Sequence, residues 1–203
     1  MVKSTNGQMR RRPGGRSARV RAAVHKATME ELTEGGLAGL SIGQVATRAG
    51  IHPTSIYRQW RTTEALVLDA ALATSALNVP IPDTGSLRDD LTAFLTALDR
   101  HVRSPLGRAL LALSGAGDPG IAGARDRFWQ ERLDLAKDIF ERAKVRKEVA
   151  QDTDATTAIE FAIAPLYLRA AVMHRPLTRQ ALVHHVGTVM RAFAPGRGAT
   201  SRA

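Results

Sequence analysis

Apolar residues recur along most of this chain at intervals of three and four, the spacing that lines one face of a helix. Val20, Val24, Ala27 and Leu32 form a first stripe, stopped by Gly35-Gly36. Ser41 is a capping residue before Ile42, Val45, Ala46 and Ala49. Gly50 then suits a turn that needs positive φ. Pro53 suits the first position of a third helix, where its missing N–H costs nothing, and Ile56, Tyr57 and Trp60 follow. A fourth helix begins near Thr62 or Thr63 and carries Leu66, Leu68, Ala71 and Leu72. Pro80 and Pro82 break the pattern. Ser86 caps a helix with Leu87, Leu91, Phe94, Leu95, Leu98 and Val102, and Pro105 starts another that ends at Gly115. One long helix is predicted from about Gly120 to Lys144, another from Asp152–Asp154 to Met173, and a last one capped by Thr178. No alternating pattern of strand length competes. The prediction is all-α, with about nine helices.

Composition narrows the function. Lys and Arg number 29 against 19 Asp and Glu, a net charge of +10 and a pI near 11.1. That surplus favours a polyanionic partner. It is concentrated at the front: residues 1–78 hold 11 basic and 5 acidic side chains, and the first acid is Glu30. Residues 1–16, with Lys3, Arg10, Arg11, Arg12 and Arg16 and no apolar period, read as a disordered basic arm. The absence of cysteine excludes a disulfide framework and thiol catalysis. Basic residues at the start are followed by Pro13, Gly14 and Gly15 where a signal peptide needs an apolar run. The most apolar later stretch, residues 158–172, is interrupted by Glu160, Pro165 and Arg169 and is too short to span a bilayer. The expectation is a cytoplasmic protein with no membrane contact.

Residues 41–66 are the most informative. Val45 and Ala46 should face the first helix, Ala49 lets the third helix cross close to the second, and Ile51 fills the angle between them. Ile56 and Trp60 should anchor the third helix from beneath. The opposite face, with Pro53, Thr54, Ser55, Arg58 and Gln59, is left for solvent or DNA. Two helices joined by a tight glycine turn, the second exposing a polar face, make a helix-turn-helix DNA-binding module.

The same stretch resembles the TetR family of one-component regulators, on Val45-Ala46, Ala49-Gly50-Ile51, Ile56-Tyr57, Trp60 and Glu64-x-Leu66. The resemblance is specific over about residues 18–70; beyond it, length and helix count fit. Two positions depart from the family pattern. His52 stands where Ser or Thr usually caps the helix, and Thr63 stands where a phosphate-binding Lys is frequent. The resemblance implies a three-helix DNA-binding domain over 17–62, a helical ligand-binding and dimerisation domain over 63–194 and a flexible tail over 195–203. It implies that Pro53, Thr54 and Ser55 face base edges, that Gln44 reaches a neighbouring base, and that Ser41, Tyr57 and Gln59 bind phosphate oxygens. Tyr57 as a partly buried packing residue is the alternative. Thr63 can add one uncharged hydrogen bond. Phosphate contacts position the protein, and base contacts carry sequence information. No Arg or Lys opens the recognition helix, so a bidentate guanine contact is not available there.

Other signals carry little. Gly115–Gly120 matches a dinucleotide-binding glycine pattern, which has meaning only after a strand, and a helix precedes it here. His184 and His185 are adjacent and point to different faces, and His101 and His174 are isolated, so no metal site and no cofactor are expected. No catalytic constellation is visible, so an enzyme is not expected. The leading reading is a repressor released from an inverted-repeat DNA operator by a small apolar effector. The alternatives are a DNA-binding protein of the same fold that uses no ligand, and an enzyme fused to a DNA-binding head.

Two placements follow for the C-terminal domain. Phe94, Leu98, His101, Leu110, Phe128, Trp129, Phe161, Tyr167 and Arg169 are expected to line a cavity of at least roughly 300 Å³. A well-filled core is the alternative for these aromatics. The last two helices are expected to form a homodimer interface through Ile159, Ala162, Ile163, Leu166 and Ala170 on one and Leu182, Val186, Val189, Met190 and Phe193 on the other. The first of these helices is apolar almost all round and so needs cover on both sides.

Overall fold

A computed structural model describes residues 14–115 and 119–195. Among them there is no strand, and ten helical segments follow in order: α1 (Gly14–Gly39), α2 (Ile42–Ala49), α3 (Pro53–Gln59), α4 (Thr63–Asn78), α5 (Leu87–Val102), α6 (Pro105–Gly115), α7 (Ala122–Ala136), α8 (Asp138–Val145), α9 (Ala155–Ala171) and α10 (Arg179–Ala192). Helix α1 already includes Gly14, inside the stretch read from sequence as a disordered arm. Residues 1–13 with Arg10, Arg11 and Arg12, the side chain of Arg16, and residues 196–203 lie outside what is described.

Local signals account for most boundaries. Gly36, at φ 65°, kinks α1 where the glycine pair is predicted to end it. Ser86 accepts from the Asp89 N–H at 3.1 Å, Asp154 from Thr156 at 3.0 Å, and Thr178 from Ala181 at 3.2 Å, each satisfying a donor that the helix start leaves unpaired. The predicted long seventh helix is instead broken at Lys137, which closes α7 and opens α8. There is no Pro or Gly at this bend. The buried side shifts from Phe128 and Ala136 to Ile139, Phe140 and Ala143, so the rod bends to follow the core it covers. Counting α7 and α8 as one bent rod restores nine helices.

Two apolar clusters organise the chain. The first joins α1–α4 (Val24, Leu32, Val45, Ile56, Trp60, Leu66) to Leu106, Leu110 and Leu113 of α6, with Ile121 and Phe128 at the start of α7. The second joins α5, α8, α9 and α10 through Leu91, Leu95, Phe140, Ile159, Leu166 and Val189. The N-terminal head therefore shares its core with α6 and α7.

Candidate nucleic-acid interface

The turn between α2 and α3 is built on Gly50, in the left-handed conformation at φ 65°. Its N–H reaches the Thr47 carbonyl at 3.2 Å, and the Ile51 N–H reaches Ala46 at 3.0 Å, closing the C-terminus of α2. At the other end Ser41 accepts from the Gln44 N–H at 3.3 Å and donates to Gln44 Oε1 at 2.7 Å. The expected phosphate and base contacts thus hold each other in the free protein. His52, the unusual cap, accepts weakly from the Thr54 N–H through Nδ1 at 3.4 Å. Thr62 caps α4 by accepting from Ala65 at 3.1 Å, and Thr63 is half-buried in the first turn of that helix.

Burial sorts α3 into two faces. Ile56 and Trp60 are buried, whereas Thr54, Ser55, Tyr57, Arg58 and Gln59 are exposed and Pro53 is half-buried. Tyr57 is 53% exposed, so its ring does not serve as core packing. The outward face holds hydroxyl, amide and guanidinium groups and no carboxylate, a set suited to phosphate oxygens and base edges.

Two charged knots set the position of this face. Arg48 on α2 pairs with Glu31 at 2.7 Å and Glu34 at 2.6 Å on α1, which ties α2 to the back of the head. Asp69 on α4 is contacted by Arg21 and His25 of α1 and by the Trp60 indole N–H, the last two at 2.8 Å. Burial alone would raise the Asp69 carboxyl; the donors His25, Arg21 and Trp60 outweigh it and hold it well below the usual carboxylate range. Trp60 closes the C-terminus of α3, so this carboxylate locks the recognition helix to α1 and α4 together. Sequence reasoning missed Asp69. Its signal is an acid alone in the otherwise apolar run from Ala65 to Leu72.

In the body, a small pocket lies where the two apolar clusters meet. Its lining includes six of the nine expected residues: Leu98, His101, Leu110, Phe128, Trp129 and Tyr167. Phe94 is instead buried in the core, Phe161 is 45% exposed beside His185 and Phe193, and Arg169 turns outward to the Pro176 carbonyl. The side chains that face the pocket are set by α5, α6, α7 and α9, and these three point elsewhere around their helices. Its volume is about 40 Å³, not the expected 300 Å³, because Trp129 packs edge-on against both Phe128 (5.2 Å) and Tyr167 (5.5 Å) and fills the space. Arg132 also lines it and was missed. It stands four and three residues after Phe128 and Trp129, a spacing that gives it their helix face. Among the described residues no group of three or more metal-ligating side chains occurs, and no helix is long and apolar enough to cross a membrane.

The expected dimer stripes need correction. Ile159, Ala162, Leu166, Leu182, Val186 and Val189 are buried within the protomer, and Ile163, Ala170, Met190 and Phe193 pack partly against the same core. The reason is that α5 lies against both α9 and α10 and takes up the stronger apolar stripe of each. The outward face carries Phe161, Leu168, Val172 and Val183, each 45% exposed or more.

Residues 25–70 match the model of the bacterial regulatory proteins of the tetR family, and residues 81–189 match the tetracyclin repressor-like C-terminal domain. The chain is 39% identical over 146 residues to the HTH-type transcriptional regulator AqdR of Rhodococcus erythropolis, covering 71% of this chain and 70% of that one. It is 30% identical over 153 residues to the uncharacterized HTH-type regulator YdeS of Bacillus subtilis, covering 74% and 77%. Among solved structures, the TetR family transcription regulator SCO0332 superposes with a TM-score of 0.77 at 30% identity, over 87% of this chain and 99% of that one.

Proposed function

Since this chain belongs to the TetR family of helix-turn-helix transcriptional regulators, we propose that it is a homodimeric repressor, released from an inverted-repeat operator by a small, mainly apolar effector. Regulators of this family bind DNA and dimerise. In this reading Pro53, Thr54 and Ser55 read base edges, Gln44 reaches a flanking base, and Ser41, Tyr57, Arg58, Gln59 and Thr63 hold the phosphates. The exposed polar face of α3 supports that division. Two copies meet through the outward faces of α9 and α10, where Phe161, Leu168, Val172 and Val183 leave apolar surface in need of cover. A two-fold axis there sets the recognition helices on successive major grooves, roughly 34 Å apart.

The observation that carries effector release is the position of the pocket. Leu98, Val102 and Val79 on its wall belong to the body cluster, and Leu110 and Phe128 to the head cluster. A molecule wedged there separates α6 and α7 from the body and drags on the core that holds α1 and α4. The present volume of about 40 Å³ is too small for such a molecule, so its entry requires the walls to move. The test is genome-wide footprinting followed by release from the mapped operator with a library of apolar compounds. The expected result is an inverted repeat and at least one releasing compound. An operator complex that nothing releases favours the ligand-independent reading.

A further inference from the structure

We propose that this pocket selects a mainly apolar monoanion, whose acid group is captured by Arg132 and the Tyr167 hydroxyl in competition with the Val79 carbonyl. The inference rests on the effector-release reading and specifies its chemistry.

Most of the pocket wall is hydrocarbon or aromatic ring. Among the described residues its ionisable groups are Arg132, Tyr167 and His101, and no Asp or Glu lines it. Arg132 is half-buried; burial lowers its pKa from the ordinary arginine value, and a guanidinium remains charged through such a shift. Burial raises the Tyr167 phenol, which therefore stays a neutral O–H donor. Burial, and then the charge of Arg132, lowers His101, which keeps its ring neutral at pH 7. The wall thus offers one cation and neutral donors in a desolvated site. A carboxylate suits such a set, because charge-assisted hydrogen bonds gain strength where water is excluded. The adjoining apolar walls have no polar group to reward a second charge, so a monoanion on an apolar frame is the class selected.

The same guanidinium supplies the link to the head. Arg132 Nη2 donates to the Val79 carbonyl at 2.9 Å. Val79 is buried and immediately follows α4, the helix that carries Asp69. An acid group that draws Arg132 away from this carbonyl removes one of the ties at the end of α4. The corner between α5 and α6 is closely packed, with no room for a Cβ at Gly107, which would lie 2.0 Å from the His101 carbonyl oxygen. The backbones there are already in contact. Trp129 fills the pocket, so a bound frame must displace it, and its indole N–H is held by Ser114 of α6 at 3.0 Å. Anion capture and widening of the pocket act on the same pair, α6 and α7.

The experiment uses matched probes on the full chain: 1-naphthoate with 1-naphthamide, and decanoate with decanamide, titrated by calorimetry and then against the operator complex. At least one acid should bind and release the operator, with its amide about tenfold weaker or worse. Arg132→Gln should lower affinity for that acid by about tenfold or more. Tyr167→Phe should lower it by a few-fold without changing affinity for the amide. Equal binding of acid and amide overturns the proposal, as does acid binding indifferent to both variants or binding by neither acid. Operator release by a neutral apolar compound, with the acids inert, also overturns it but leaves the effector-release reading standing. An operator complex that no compound of either class releases removes both.

Discussion

Replacing Asp69 with Ala should disconnect the recognition helix from the rest of the head. The carboxylate accepts from the Trp60 indole N–H and the His25 ring nitrogen, each at 2.8 Å, and from the Arg21 guanidinium. Arg21 is half exposed and regains water on truncation, so its loss is worth little. Trp60 and His25 are 5% and 7% exposed and keep buried polar atoms without a partner. Each such orphan costs about 1–3 kcal/mol, so Asp69→Ala should destabilise by about 2–5 kcal/mol. Asp69→Asn keeps one acceptor in place and should cost less, about 1–2 kcal/mol. Urea unfolding followed by circular dichroism measures both, at one fixed protein concentration so that the proposed dimerisation affects every variant's midpoint alike. Operator affinity measured where both variants remain folded should fall further for Ala than for Asn. The folded-state pKa of Asp69 is depressed, so its contribution is complete above the unfolded value of 3.8 and is lost as pH falls below it. The Asn variant should lack that part of the acid-induced loss. An Asp69→Ala protein within about 0.5 kcal/mol of wild type, with unchanged operator affinity, would show that the knot does not hold α3.

Three further outcomes are expected. Tyr57→Phe removes one exposed hydroxyl, leaves the fold intact, and should weaken operator binding by roughly fivefold whatever the base sequence, read by fluorescence anisotropy; a change in sequence preference would assign Tyr57 to base contact. Deleting residues 1–13 removes Lys3, Arg10, Arg11 and Arg12 and should flatten the plot of log affinity against log salt by about 0.9 for each phosphate that the arm neutralises, and an unchanged slope would make the arm a solvated tail. Changing Leu168 and Val183 together to Glu should give folded monomers by analytical ultracentrifugation, whereas changing Val186, 1% exposed inside the protomer, to Glu should unfold the chain. A dimer that survives the first change places the interface elsewhere.

The head was legible because its signals are local. Ser41, Gly50, Pro53 and Trp60 each act through backbone geometry or a near neighbour, so the sequence around them carries nearly all the information needed. The knot at Asp69 was not legible, because its donors come from 48, 44 and 9 residues away. Arg132 was legible as a pocket-facing residue by its spacing from Phe128 and Trp129, but its bond to Val79, 53 residues before it, was not. The break at Lys137 lacks any breaker residue and follows from the curvature of the core, which no local pattern encodes. Side-chain type gave six of the residues that line a cavity here, misplaced Phe94, Phe161 and Arg169, and did not give the volume. Those six enclose little space, because Trp129 occupies it, and whether an aromatic lines a void or fills it depends on where its neighbours end.

Helix α9 shows why apolar residues on every face do not by themselves locate an interface. Its sequence demands cover on two sides but does not say which side meets its own domain. The protomer chooses by strength of burial. Ile159, Ala162 and Leu166 stand at helical spacing with Ala155 and Ala158 and seat against α5 and α8, and Val186 and Val189 of α10 join them. Phe161, Leu168 and Val172 remain outside, on the weaker stripe. On α9 the stripe that stands out first in the sequence is core, so the proposed interface falls to the exposed stripe of the same helix. Phe161, Leu168 and Val172 on that stripe and Val183 on α10 are therefore the side chains whose substitution tests the proposed two-fold dimer, since each is 45% exposed or more within the protomer.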